Sequence, residues 1–164
     1  MILDKNLEML DAVALNTGAA GTYLIGDQID TQGPTQISTL RGLGTGTTCY
    51  LVLNVDTDIT TAGAAGTLQF KLASDDTASI ATNGSATEHI VTKAFATSGT
   101  AIKAGTTLLV QELPAGDYER YMGLLQVTGT TALNAGKINA FLVGEDAAAY
   151  WKAKADAVVL GTSL

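Results

Sequence analysis

Hydrophobic and polar residues alternate in short runs through most of the chain, which is the pattern of β-strands. The clearest run is Thr67–Ala73. Its Leu68, Phe70 and Leu72 fall on one face, and the polar residues between them fall on the other. The other predicted strands are Thr22–Ile25, Thr48–Asp56, His89–Phe95, Thr106–Leu113, Arg120–Val127 and Lys137–Val143. Turn signals rich in glycine and threonine separate the runs, and no long helical segment intervenes, so the pattern predicts an all-β antiparallel sandwich.

The first residues of the chain follow a different pattern. Leu3, Leu7 and Leu10 recur at helical spacing with acidic residues beside them. The segment is either a short amphipathic helix or an extended arm that orders on a partner, because isolated helices of this length are marginal in water. We therefore assign residues 1–20 to an N-terminal arm.

The end of the chain also leaves the strand pattern. Residues 146–164 are rich in alanine and predict a short helix or tail, which leaves residues 21–145 for the sandwich domain. The tail carries Tyr150 and Trp151, the only tryptophan of the chain. Either it packs on the sandwich as a terminal helix, or the two aromatic side chains anchor it in a neighbouring subunit.

Composition and charge limit the classes of partner. The chain of 164 residues is 46% hydrophobic, which is enough apolar material for one folded domain with flanking segments. Its formal net charge of −7 is repelled by phosphate backbones and anionic lipid surfaces, so we expect neither nucleic acid nor a membrane as partner. No apolar run reaches the ~18–20 residues of a membrane span. The N-terminus lacks the pattern of a signal peptide, so we expect synthesis in the cytoplasm.

The residues that most often carry chemistry are scarce. Cys49 is the only cysteine, so no internal disulfide is possible, and we interpret it as a small buried hydrophobe. His89 is the only histidine, and no second histidine or cysteine completes a zinc site. No Gly-x-Ser-x-Gly elbow presents a serine nucleophile. We expect no catalytic residues, no metal and no cofactor.

Three short motifs fit turns better than binding sites. The glycines of residues 42–46 precede an apolar strand, whereas a dinucleotide-binding loop must open a helix. The acidic pairs in Asp56–Asp58 and Asp75–Asp76 lack the twelve-residue calcium loop, and aspartates at strand ends bind backbone amides in turns. The sequon Asn83–Ser85 contains a glycine that suits a turn, and glycosylation is not expected for a cytoplasmic product.

Several segments resemble, in the same order, the capsid cement (decoration) proteins of tailed phages, of the type found in a Bordetella phage. The matching segments are Met1–Lys5, Leu113–Gly116, Arg120–Leu124, Val127–Thr130 and Gly136–Val143, followed by the acidic Glu145 and Asp146. The stretch Leu113–Glu145 is thereby predicted to form a turn and a closing β-hairpin. The alanine-rich tail after Asp146 departs from the family pattern.

The resemblance implies a jelly-roll sandwich that assembles as a small homo-oligomer, a dimer rather than a trimer, on the outer surface of an icosahedral shell. The implied partners are the major capsid protein and further copies of this chain. We expect the capsid or subunit interface to include Leu3, Leu7, Leu10, Arg120, Tyr121, Tyr150 and Trp151. An adhesin or receptor-binding module on the same sandwich is the alternative, although the 5% aromatic content gives little material for a concave ligand site.

Overall fold

A computed structural model describes residues 5–32, 48–61, 65–97 and 101–159, with side chains described up to residue 156. Within these ranges, one 3₁₀ turn (Lys5–Leu7) precedes nine strands and one helix. The strands are β1 (Glu8–Ala14), β2 (Gly21–Asp30), β3 (Tyr50–Thr61), β4 (Thr67–Asp75), β5 (Thr87–Val91), β6 (Phe95–Ala96), β7 (Thr107–Glu112), β8 (Tyr121–Gly129) and β9 (Leu133–Val143). The helix α1 spans Glu145–Val159. No described helix has the length and apolar character needed to span a membrane.

The strands form two sheets with the pairing of a jelly roll. One sheet has the order β1-β9-β3-β7, and the other has the order β2-β8-β4-β5 with β6 beside β4. The chain folds back on itself so that β1 pairs with β9, β2 with β8, β3 with β7 and β4 with β5, all antiparallel. This nested pairing of eight strands in two sheets is the jelly-roll topology. The prediction of an all-β antiparallel sandwich is confirmed.

The main core lies between the two sheets and follows the predicted alternation. Leu68, Phe70 and Leu72 of β4 are fully buried in it, as the sequence pattern predicts. The facing strands β3 and β9 contribute Leu51, Leu53, Ile138 and Leu142, and the neighbouring strand β8 contributes Leu124. Because successive side chains of a strand point to opposite faces, one set in each strand reaches this core.

Both sheets also bury apolar side chains on their outer faces. The outer face of the first sheet, here called the helix-covered face, comprises Tyr50, Val52, Phe141 and Val143, and α1 packs over it. The outer face of the second sheet, here called the loop-covered face, is centred on Ala73 and Leu125. The connection between β4 and β5, here called the cover loop (residues 76–86), packs over it with Ile80 and Ala86.

The start of the chain differs from both alternatives predicted for it. Residues 8–14 form strand β1 at the edge of the first sheet, so the helical alternative is wrong, and this part of the predicted arm belongs to the sandwich. The register of β1 shifts twice against β9, and Ala12 adopts a positive φ of 48° in this irregular region. Its amide donates to Oδ1 of Asn139 over 2.6 Å. These bulges destroy the period-two pattern that identifies a strand in a sequence.

The predicted closing hairpin is also wrong in its pairing. The two strands exist, but β8 belongs to the second sheet and β9 to the first. Residues 130–132 carry the chain across the sandwich, beginning at Thr130 with a positive φ of 65°. Strand lengths and a short connection do not distinguish a hairpin from such a crossing, because both begin with two strands and a polar turn.

Two further strands differ in extent from the prediction. β2 continues to Asp30 instead of ending at Ile25, and its register against β8 shifts after Ile25. Gly26 makes this possible: its φ is +68°, and a Cβ there would overlap the side chain of Leu10. The predicted strand His89–Phe95 is split into β5 and β6.

Candidate interaction surfaces

The predicted contact residues at the N-terminus serve the interior of the fold where they are described. Leu3 lies outside the described residues. Leu7 is half-buried against the core at the end of the 3₁₀ turn. Leu10 is only 1% exposed and belongs to the core between the sheets, so its side chain is not available to a partner in this fold.

Arg120 and Tyr121 form a corner where β8 begins, at which Arg120 is exposed and Tyr121 is half-buried. The guanidinium of Arg120 donates to both carboxylate oxygens of Asp30, over 3.1 Å from Nε and 3.0 Å from Nη2. It also lies 5.0 Å from the centre of the Tyr121 ring. The hydrogen bond from Arg120 lowers the pKa of Asp30, and the carboxylate raises that of Arg120. Such a two-bond pair has a defined orientation, which suits a contact surface.

A second group of polar residues ties the β7–β8 connection (residues 113–120) to the second sheet. The His89 ring stacks on Tyr118 with centroids 4.0 Å apart, and its Nε2 lies 2.7 Å from Oγ of Ser74. That same oxygen accepts the backbone amide of Glu119 over 3.1 Å. The Glu119 carboxylate accepts the hydroxyl of Thr87 over 2.6 Å. We call this group the Ser74–His89 tie.

The electrostatics of this tie fit a structural role. Burial lowers the pKa of His89, and the nearby Glu119 carboxylate opposes that shift. Burial also raises the pKa of Tyr118 to about 12. Ser74 is fully buried and its oxygen already has two partners, so a substrate has no access to this hydroxyl. The serine–histidine pair holds a loop in place.

The acidic pairs also have local structural contacts. Asp58 accepts Nζ of Lys103 and the amide of Ala104, and Asp75 accepts the amides of Thr77 and Ala81. Among the described residues, no three histidine, cysteine or acidic side chains are grouped closely enough to hold a metal.

Cys49 lies within the described residues, whereas the glycine motif does not. Cys49 is buried as the sequence pattern indicates, and that burial raises the pKa of its thiol to about 11. A thiol with so high a pKa is a poor nucleophile at neutral pH. The glycine motif of residues 42–46 lies outside the described residues.

Tyr150 and Trp151 lie on α1 and differ in their environment. The Trp151 ring contacts the ring of Phe141 edge to face, with centroids 5.3 Å apart, so the helix packs on its own sandwich. Tyr150 is 60% exposed and contacts only the outer side of Trp151 among the described rings. Lys152 lies 4.1 Å from the ring of Tyr50 beneath the helix. Tyr150 therefore lies on a part of α1 that the described sandwich does not cover.

The partners of these residues were not predicted from the sequence. Asp30 lies 90 positions from Arg120 along the chain, and Ser74 lies 45 positions from Glu119. Neither pair has a local spacing that links its members. Only the topology brings them together, because β2 and β4 both flank β8.

The strand order of the two sheets defines a jelly-roll protein. A comparison with family models matches residues 10–142 to the Bbp16 family, and the chain belongs to that family. The name of the family suggests a protein of a Bordetella phage. The match begins in β1 and ends in β9, so it covers the jelly roll and stops before α1. A search of curated proteins found no match.

Proposed function

We propose that this protein is a structural virion protein that binds the outer surface of an assembled phage capsid and stabilises it as a cement protein. The observation that carries the proposal is the Bbp16 match, which spans the whole jelly roll from β1 to β9. The resemblance of the segments between Leu113 and Val143 to phage cement proteins supports the same role. We further propose the major capsid protein as partner, with a homodimer as the binding unit.

Two exposed regions lie at one end of the sandwich and are the surfaces we assign to these contacts. The short β3–β4 connection places Thr61 and Thr67 at one end, so the opposite end contains Tyr50 and Asp75. Asp75 pairs with Tyr121, and Tyr50 pairs with Val143, which leads into α1. The Arg120–Tyr121 corner and the start of α1 therefore share an end, and a single partner surface can contact both.

The proposed mechanism is mass action. A protein that binds the assembled shell but not the free subunits stabilises the shell by RT ln(1 + [L]/Kd) per site. At a free concentration about 100 times Kd, this contribution is about 2.7 kcal/mol per site. A dimer that contacts two capsid subunits gains further, because its second contact is intramolecular. Summed over the many equivalent sites of a shell, a modest affinity opposes rupture.

The test uses emptied capsids that carry no cement protein. We expect the purified full-length chain to sediment with these capsids and to raise their rupture temperature. Failure to bind, or binding with no rise in rupture temperature, contradicts the proposal. Binding to a glycan array instead of capsids favours the adhesin alternative.

Variants of the same chain test the assigned surfaces. Tyr150→Ala and Arg120→Ala should weaken capsid binding without unfolding the sandwich, because both side chains lie at the exposed surface. Lys137→Ala is the matched control, since Lys137 is exposed at the opposite end, where it pairs with Ala14. Equal binding by all three variants contradicts the assignment of surfaces.

A further inference from the structure

We infer that Asn83 is a site of spontaneous self-modification, in which its side-chain amide is converted to a carboxylate through a cyclic imide formed with the backbone of Gly84. The pair lies in the exposed part of the cover loop. It is the only Asn-Gly sequence in the chain. The inference is independent of capsid binding.

The hydrogen bonds of Asn83 favour the first step. Its Oδ1 accepts two hydrogen bonds from Ser85, one from the amide nitrogen over 3.1 Å and one from Oγ over 2.7 Å. When a nucleophile attacks Cγ, negative charge develops on this oxygen. Donors already placed at such an oxygen stabilise the tetrahedral intermediate, as in the oxyanion holes of acyl-transfer enzymes. Ser85 therefore provides two oxyanion-stabilising donors to the side chain of Asn83 in the same loop.

Gly84 provides an unhindered nucleophile. Its φ is +90°, which glycine adopts without strain, and no heavy atom from beyond its two chain neighbours lies within 4 Å of the position where a Cβ would stand. A larger residue after the asparagine would shield the backbone nitrogen. Asn83 itself is exposed, so water reaches the imide that forms.

The reaction balances with water as the only co-reactant. The backbone nitrogen of Gly84 forms a bond to Cγ of Asn83 and loses its proton. The bond from Cγ to the side-chain nitrogen breaks, and that nitrogen takes up the proton and leaves as ammonia. Water then opens the five-membered imide at either carbonyl, which gives aspartate or isoaspartate. Each event adds one negative charge, so the formal net charge of the chain changes from −7 to −8.

Other asparagines of the chain lack this combination. Asn54 is buried and its amide donates to the carbonyls of Gly105 and Thr106, while the β-branched Val55 follows it. Asn139 lies within β9, where its Oδ1 accepts the amide of Ala12, and an alanine follows it. These residues are internal references against which the rate at Asn83 is measured.

The consequence for the fold should be local. Ile80 and Ala86 anchor the cover loop on either side of Asn83, and Asp75 fixes its start through the amides of Thr77 and Ala81. The modification changes the charge of the exposed tip between these anchors.

The test is to incubate the full-length protein at mildly alkaline pH and physiological temperature and to map the products by mass spectrometry. Isoaspartate is detected with an isoaspartyl methyltransferase. We expect conversion at Asn83 well before any other asparagine, and faster in the native protein than in the same chain unfolded in urea. No conversion at Asn83, or a faster reaction in the unfolded chain, overturns the inference.

A set of serine variants isolates the role of the hydrogen bonds. Ser85→Ala removes the Oγ donor and should slow conversion several-fold, while Ser85→Thr keeps a hydroxyl and should restore most of the rate. Ser79→Ala is the matched control, because Ser79 is exposed in the same loop and should leave the rate unchanged. Equal rates in Ser85→Ala and the unaltered protein overturn the proposed geometry.

Discussion

The helix-covered face and the loop-covered face each bury apolar side chains, but different parts of the chain cover them. α1 follows β9 along the chain, is joined to it through Gly144, and packs back over its face. The cover loop lies between two paired strands, so both of its ends are fixed in the second sheet. The Bbp16 match includes the cover loop and stops before α1.

The way each covering segment is connected to the sheets indicates how strongly it is held in the fold. A segment fixed at both ends loses less conformational entropy when it packs, because its free states are already restricted. α1 follows the last strand, so the described contacts that hold it on its face are mainly those of Ala148 and Trp151. We therefore expect α1 to open more readily than the cover loop, and the same argument makes α1 the better candidate for a partner contact.

The largest effect is expected for Ile80→Ala in the cover loop. Ile80 is 2% exposed, and its Cδ1 lies over Gly123 of β8. Truncation should reduce the free energy of unfolding by about 2–5 kcal/mol, the range for buried Ile-to-Ala changes. Ser79→Ala, an adjacent exposed change, should stay within about 0.5 kcal/mol. Urea denaturation followed by circular dichroism makes both measurements, and equal values would contradict the integral role of the loop.

A smaller effect is expected for Trp151→Ala in the helix. The side chain is only partly buried, so the loss should be about 1–2 kcal/mol, below the range for fully buried tryptophans. Hydrogen exchange should show α1 opening while the two sheets remain protected. Tyr150→Ala is the control, since the exposed neighbour should change neither quantity. Global loss of protection in Trp151→Ala would show that the helix is as integral as the cover loop.

Mild acid should act through His89, which lies in the second sheet. Burial lowers the pKa of His89 below its usual value of 6.5, so the unfolded chain binds this proton first. The free energy of unfolding should therefore fall as the pH falls below about 6.5, until His89 is also protonated in the folded protein. The lowered pKa values of Asp30, Asp58 and Asp75 start from 3.8, so these carboxylates act in a more acidic range.

The measurement follows two quantities as the pH changes: the free energy of unfolding, and the fluorescence of Trp151 on the helix-covered face. His89→Gln should flatten the pH dependence in this window, with Lys93→Gln as a control at an exposed position. The fluorescence of Trp151, the only tryptophan, should stay constant because no histidine lies on the helix-covered face. An unchanged pH dependence in His89→Gln would contradict the role assigned to the Ser74–His89 tie.

The fold was predictable from the sequence where the pattern was local and regular. β4 shows this, because Leu68, Phe70 and Leu72 occupy the predicted face. β1 shows the limit, because its bulges around Ala12 leave apolar residues at spacings that also fit a helix. The crossing between β8 and β9 shows another limit, because sheet membership depends on strands far away in the chain.

The candidate surfaces were predictable only as single residues. Tyr150 and Trp151 stood out as aromatics in an alanine-rich tail. The sequence alone does not show which of these two adjacent side chains is exposed and which is packed. The helix geometry separates them, since neighbours along a helix are about 100° apart around its axis. The Asp30–Arg120 pair has no signal at all in the sequence, because 90 residues separate its members.

The smallest effect is expected for Trp151→Phe, which separates the ring of Trp151 from its N–H group. The indole Nε1 is buried and has no hydrogen-bond partner among the described residues. A buried donor without an acceptor destabilises a fold, so its removal offsets part of the lost ring area. The free energy of unfolding should remain within about 0.5–1 kcal/mol of the unaltered protein, well short of Trp151→Ala. Urea denaturation measures both variants. If Trp151→Phe lowers the free energy of unfolding as much as Trp151→Ala does, a hydrogen bond of the indole, rather than ring packing against Phe141, holds α1 on the helix-covered face.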